Sequence, residues 1–182
     1  MKCISVFGSS HPQPGSADYE IARQLGRLLA EADFTVQTGG YGGIMAAISQ
    51  GANEAGGHVI GITAAQIETF RPMPANEWVI EEIKYPTLYE RLLHVISYCD
   101  GAVAMSGGIG TLAEVALMWN MMQVGELPVR PLVAVGGLWA RTLGGFIAPE
   151  YIRPEHAALI SPAKTPREAV KLLVERTFER ET

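Results

Sequence analysis

Between Gly101 and Gly125 the chain carries one charged side chain, Glu114, across an apolar run, a glycine-rich turn and a second apolar run. The first run, residues 101–105, has the length and uncharged character of a strand buried on both faces. The second holds Leu117, Met118, Trp119, Met121 and Met122 in close succession, so as a helix it is apolar nearly all round and must be covered on more than one side. Few architectures hide both. The same alternation recurs along the chain: strands are expected over residues 3–7, 35–38, 58–63, 78–83, 101–105 and 132–135, and helices over 16–32, 43–55, 87–98, 111–124 and 166–180. Thr165 is placed to cap the last helix, with Pro166 at its first position and Glu168 completing a capping box. Continuous apolar strands separated by helices predict an α/β fold: a single-domain, doubly wound, Rossmann-like parallel sheet with helices on both faces. At 182 residues and 48% hydrophobic content, residues 1–182 form one well-filled domain in this reading.

Three expected strand ends run into small-residue turns: Gly8-Ser9-Ser10, Gly39-Gly40-Tyr41-Gly42-Gly43, and Ser106-Gly107-Gly108-Ile109-Gly110-Thr111. In a parallel sheet all three fall at the carboxyl edge, where ligands of open α/β sheets bind. Glycines let backbone approach a ligand, and the free N–H groups opening a helix favour an anion, so a phosphorylated small molecule is the expected guest. Glu114 has two readings. Its spacing from Thr111 is that of a capping box, and its isolation in an apolar run suits a catalytic acid; the two roles are compatible. Arg91 borders the stripe Leu88, Leu92, Val95 and Cys99 of its helix. It could lay its stem on the core with its head in water, or aim its guanidinium at a phosphate or at Glu114. The longest irregular stretch, 64–76, contains Arg71, Pro72 and Pro74 and is either a lid or an ordinary surface connection.

Other chemistries lack their residues. No Gly-Lys pair exists for a phosphate loop of the ATPase kind, and no serine occupies a GxSxG elbow. Gly108, Gly110 and Ala113 satisfy the dinucleotide spacing, yet the next strand ends Val135-Gly136-Gly137 without an acid for a ribose. The four lysines lie outside the glycine turns, which disfavours pyridoxal phosphate, and His11, His58, His94 and His156 form no metal-spaced pair. No cofactor and no metal are expected. The net charge of −5 and the scattered basic residues argue against nucleic acid as a partner. Cys3 and Cys99 lack ligand or redox spacing, no run approaches the roughly 20 apolar residues of a membrane span, and Met1 leads into a strand pattern, so a reduced, cytoplasmic protein is expected.

The motifs and their order resemble the Lonely Guy family, long mislabelled lysine decarboxylases, whose characterised members remove the base from cytokinin nucleoside 5′-monophosphates. The family signature PGGxGTxxE is similar to Ser106 to Glu114, its GGGxxGLM turn to Gly39 through Met45, and its GSS to Gly8-Ser9-Ser10. The family's MHxRK arginine falls on Arg91 and its catalytic glutamate on Glu114. The resemblance covers most of the first 135 residues. It implies hydrolysis of the N-glycosidic bond of AMP or a cytokinin-type nucleotide to free base and ribose 5-phosphate, catalysed by Arg91 and Glu114. The phosphate would lie on Gly107, Gly108, Ile109, Gly110 and Thr111; Gly8, Ser9, Ser10, Gly39, Gly40, Gly42, Gly43 and Met45 would line the nucleotide side. It further implies a homodimer with sites near the interface. Ser106 replaces the signature proline, Leu92 replaces the lysine after the arginine, and residues 61–65 lack the family's proline-lysine, which marks a divergent subgroup. The wider fold family includes molybdenum cofactor carrier proteins, which leaves a non-catalytic binding or carrier role as the alternative.

Overall fold

The computed structural model describes residues 1–178, so the end of the last predicted helix at Arg180 lies outside the described residues. The chain alternates β1 (Lys2–Phe7), α1 (Ala17–Glu31), β2 (Phe34–Thr38), α2 (Ile44–Glu54), β3 (Val59–Ala64), α3 (Ala65–Phe70), β4 (Glu81–Tyr85) and α4 (Leu88–Ser97). It continues through β5 (Gly101–Ala104), α5 (Ile109–Gln123), β6 (Leu132–Val135), α6 (Gly137–Phe146), α7 (Pro154–Ala157), β7 (Ser161–Ala163) and α8 (Pro166–Phe178). The seven strands form one all-parallel sheet in the order β4-β3-β2-β1-β5-β6-β7. This is the doubly wound Rossmann-like fold.

Alternation along β1 splits the core. Ile4 and Val6 join Leu25, Leu29 and Ile48 beneath α1, α2 and α8, whereas Phe7 joins Val95, Met118 and Trp139 beneath α4, α5 and α6. Each fully buried Leu or Ile is worth about 1.5–3 kcal/mol relative to exposure, so both layers are needed to hold the sheet flat against its helices. Strand order reverses between β1 and β5: the chain winds outward through β2, β3 and β4, then returns to the other side of β1. The loops after β1 and β5 diverge to opposite faces there and open a crevice.

Several expected boundaries move. The run 78–83 reads as a strand, but Trp78 and Val79 turn about Asn76, whose side-chain and main-chain oxygens accept from their N–H groups at 3.2 and 3.1 Å. The strand proper starts at Glu81, at the sheet edge, with charged Glu81, Glu82 and Lys84 of the kind that deters edge pairing. The stretch 64–76 is partly helical, through the six residues of α3. α6, α7 and β7 were not expected: α6 begins at Gly137 behind the cap Gly136, and Pro162 sits in the middle of β7, which an edge strand tolerates. α8 opens with the expected Thr165 cap, the Glu168 N–H donating to Thr165 Oγ1 at 3.2 Å, but the Glu168 carboxylate accepts from Lys164 N at 2.7 Å, one residue before the cap, in place of the expected reciprocal bond.

Candidate active site

The three glycine turns are bonded to one another through Ser9. Its N–H donates to Ser106 O at 3.0 Å and its carbonyl accepts from Ile44 N at 2.8 Å, so the β1 loop ties the turn after β5 to the start of α2. Gly43 adopts φ 67° and presses its α-carbon against the Ser9 and Ser10 backbone, where a β-carbon would overlap main-chain atoms. No side chain fits there.

The turn after β5 departs from the capping-box expectation. α5 starts at Ile109 with Gly108 as its cap and no side-chain cap bond, which places Thr111 inside the first turn. Its side chain packs onto Gly107, in the space a β-carbon there would occupy, so the Thr111–Glu114 pair does not cap the helix. No side chain caps this helix start, and Gly108, Ile109, Gly110 and Thr111 line the cavity. Glu114 lies one turn further in.

α4 is rotated relative to its apparent apolar stripe. Thr87 opens it with a full capping box to Glu90, Leu88 is exposed, and the polar Arg91 and His94 face the sheet. Arg91 is only 6% exposed, which overturns the edge reading with its head in water. Its Nε donates to Ile62 O at 2.8 Å and its Nη1 to Glu114 Oε1 at 3.5 Å. The guanidinium occupies the place where a Gly39 side chain would begin. Behind it runs a buried polar chain: Ser5 Oγ donates to Val95 O at 2.6 Å, Gln37 Nε2 to Ser5 Oγ at 2.8 Å, and His94 Nε2 lies 3.2 Å from Gln37 Oε1. Tyr85 Oη completes it, 2.7 Å from His94 Nδ1. The Gln37 carbonyl can only accept, so Nε2 of a neutral His94 donates to it and Nδ1 accepts from the tyrosine. Burial lowers the His94 pKa in keeping with that form.

Glu114 is 8% exposed. Burial pushes its carboxyl from 4.5 to about 7, against the opposing pull of the Arg91 guanidinium. The pair forms part of the wall of a cavity of about 300 Å³, within the range of small-molecule sites. Of the residues expected at the site, Gly8, Ser9, Ser10, Gly39, Met45, Arg91, Gly108, Ile109, Gly110, Thr111 and Glu114 line this cavity. Gly40, Gly42 and Gly43 do not; they shape the turn beneath it. Gly107 lies on the neighbouring groove beside Ser16 and Leu138. Sequence reasoning missed His11, Tyr41, Ile67, Arg71 and Met73, all of which line the cavity. The one available signal was the arginine just before two prolines in a stretch already marked as a candidate lid. Among the described residues no group of three or more His, Cys, Asp or Glu could hold a metal ion, and no helix is long and apolar enough to cross a membrane.

Residues 1–127 match the model of the SLOG cluster4 family. A probable cytokinin riboside 5′-monophosphate phosphoribohydrolase of Oryza sativa subsp. japonica (LOGL2) is 29% identical over 98% of this chain and 74% of its own length. The cytokinin riboside 5′-monophosphate phosphoribohydrolase LOG3 of Arabidopsis thaliana is 28% identical over 94% of this chain and 81% of its own. Among solved structures, the molybdenum cofactor binding protein of Rippkaea orientalis superposes with a TM-score of 0.74 at 25% identity, covering 96% of each chain. With the family model spanning more than two thirds of its length and relatives aligned along nearly all of it, the chain belongs to the SLOG cluster4 family.

Proposed function

We propose that the protein hydrolyses the N-glycosidic bond of a nucleoside 5′-monophosphate, AMP or a cytokinin-type nucleotide, releasing the free base and ribose 5-phosphate. The observation that carries this reading is the buried Arg91–Glu114 pair, 3.5 Å apart, in the wall of a cavity that the start of α5 also lines. The likeness to two phosphoribohydrolases supports it. A phosphate held by the amides of Gly108 to Thr111 fixes the sugar, and binding energy at that remote group positions the anomeric carbon. The barrier is the oxocarbenium-like centre formed as the C1′–N bond breaks. The ionised Glu114 carboxylate stabilises that charge and takes a proton from the attacking water, whose oxygen bonds to C1′; the base leaves with the bond's electron pair and is protonated from solvent. Arg91 holds the carboxylate in place, and Met45, Ile67 and Met73 offer an apolar wall to a planar base.

Incubation with AMP and with N6-modified adenine nucleotides, followed by chromatography of the free base, tests this directly. Base release that falls at least 100-fold in Glu114→Gln is expected, on the scale of a lost catalytic group. No release from any monophosphate, or release unchanged in that variant, overturns the reading. A carrier role is favoured by one comparison, the molybdenum cofactor binding protein. A phosphorylated ligand that co-purifies and stays intact over hours, with no base release from nucleotides, is its expected outcome.

A further inference from the structure

The strap between β3 and β4 is fastened at both ends to the turn after β2. At one end Tyr41 Oη accepts from Ala64 N at 2.9 Å and donates to Ala64 O at 3.2 Å. At the other, Asn76 donates through its backbone N–H to Gly40 O at 2.8 Å, and through Nδ2 to Gly40 O and Tyr41 O, both at 3.0 Å. Between these anchors no residue of α3 is buried, yet Ile67, Arg71 and Met73 face the cavity. Arg71 spans it: its Nη1 donates to Ser10 Oγ at 3.2 Å, on the loop bonded through Ser9 to the turn after β5.

The charges of the cavity do not balance without a ligand. Arg91 is matched by Glu114. Glu68, the acid on the strap, is engaged by Lys84 at 3.0 Å. Among the described residues Arg71 makes no ion pair, and a serine hydroxyl is its side-chain partner. A guanidinium so placed, lining the same cavity as a helix start that also favours negative charge, complements a doubly charged phosphoryl group by paired, charge-assisted hydrogen bonds.

We propose that Arg71 is a ligand-binding residue that makes this site select phosphorylated ligands over their unphosphorylated counterparts, with Ser10 Oγ holding the guanidinium in position. The proposal rests on the nucleoside 5′-monophosphate reading for the class of ligand and not for the chemistry. Its neighbour Ser10 is a positioning residue, because it acts through the arginine.

Isothermal titration of the full chain with ribose 5-phosphate and with adenosine tests it, for the wild type, Arg71→Ala and Arg71→Lys, alongside KM and kcat for AMP. Arg71 is exposed, and unchanged thermal midpoints certify that the variants fold. Arg71→Ala is expected to weaken ribose 5-phosphate roughly 10- to 100-fold and to leave adenosine within twofold; Arg71→Lys falls between, as a point charge without the fork. Equal loss for both ligands, unchanged ribose 5-phosphate affinity, or no binding of ribose 5-phosphate by the wild type overturns the proposal. Selective loss in a protein that releases no base from AMP overturns the hydrolase reading and leaves this one standing. Base release with a KM indifferent to Arg71→Ala does the reverse.

Discussion

Glu114 holds its proton to about pH 7 in the folded chain and to about 4.5 when unfolded. Between those values the folded state binds more protons, so this residue's contribution to stability is greatest below about pH 4.5, falls as pH rises to about 7, and is level beyond. Glu114→Gln stays neutral and escapes that loss. Relative to the wild type it gains stability from pH 5 to pH 8, by an upper limit on the order of 3 kcal/mol, read from urea midpoints at each pH. Parallel pH profiles for the two proteins would show that Glu114 is not desolvated. In the proposed reaction the carboxylate is the working form, so kcat/KM for AMP is expected to rise with pH through an inflection near 7. Gly39 offers a second test at this scale. Its φ is not in the left-handed region, so alanine is acceptable to the backbone, but the added methyl falls on the Arg91 guanidinium and 2.6 Å from Met45 Sδ. Gly39→Ala is expected to cost about 1–3 kcal/mol of stability and to lower base release on the order of 100-fold by displacing Arg91. Activity within threefold of wild type in a folded variant counts against Arg91 as a catalytic group.

The elements that carry the site were legible where one local signal dominated. Apolar strands, the Thr87 and Thr165 helix starts and the glycine turns could each be read from a few neighbours. Misplaced features have tertiary causes. α4 looks amphipathic about Leu88, Leu92 and Val95, yet it turns Arg91 and His94 inward, because Ile62 O, Gln37 and Glu114 wait there to satisfy them. Nothing local announces those partners. α5 starts two residues before Thr111 because Gly107 leaves room for the threonine side chain to tuck under the turn. The chain Ser5–Gln37–His94–Tyr85 joins four separate elements and has no sequence signature at all. It nonetheless sets the rotation of α4. Gln37→Leu keeps the volume but leaves Ser5 without its donor and His94 without its acceptor in the core, at a cost of about 1–3 kcal/mol for each buried group unpaired. Chemical denaturation gives that loss. Because α4 carries Arg91, kcat is expected to fall along with it while KM changes little. A stability loss with kcat intact would mean that the relay serves the core alone.

At the scale of the molecule, strand order decides which turns meet. The reversal between β1 and β5 sets Gly8-Ser9-Ser10 beside Ser106-Gly107-Gly108, a neighbourhood that sequence spacing does not reveal. The same arrangement leaves α5 with a face that the monomer does not cover. Its buried side holds Thr111, Glu114, Val115, Met118, Trp119 and Met122; its outer side shows Ile109, Leu112, Ala113, Ala116, Asn120 and Gln123, with no charge among them. Ile109 is 88% exposed at the cavity mouth, and Leu88 and Tyr89 at the start of α4 add exposed apolar area. An uncharged stripe with alanines at its centre allows another helix to approach closely, and a two-fold axis across it pairs the stripe with itself without like-charge conflict. We propose a second copy of this chain as the occupant, since the stripe is self-complementary. Light scattering after size exclusion is therefore expected to give twice the 19.6 kDa chain mass. Ala116→Glu, which places two carboxylates against each other across that axis, is expected to give folded monomers. If the monomers also bind ribose 5-phosphate more weakly, the partner helps to close the cavity at Ile109. A wild type that elutes as a monomer at tens of micromolar ends this proposal, and a variant that still dimerises moves the interface to another face.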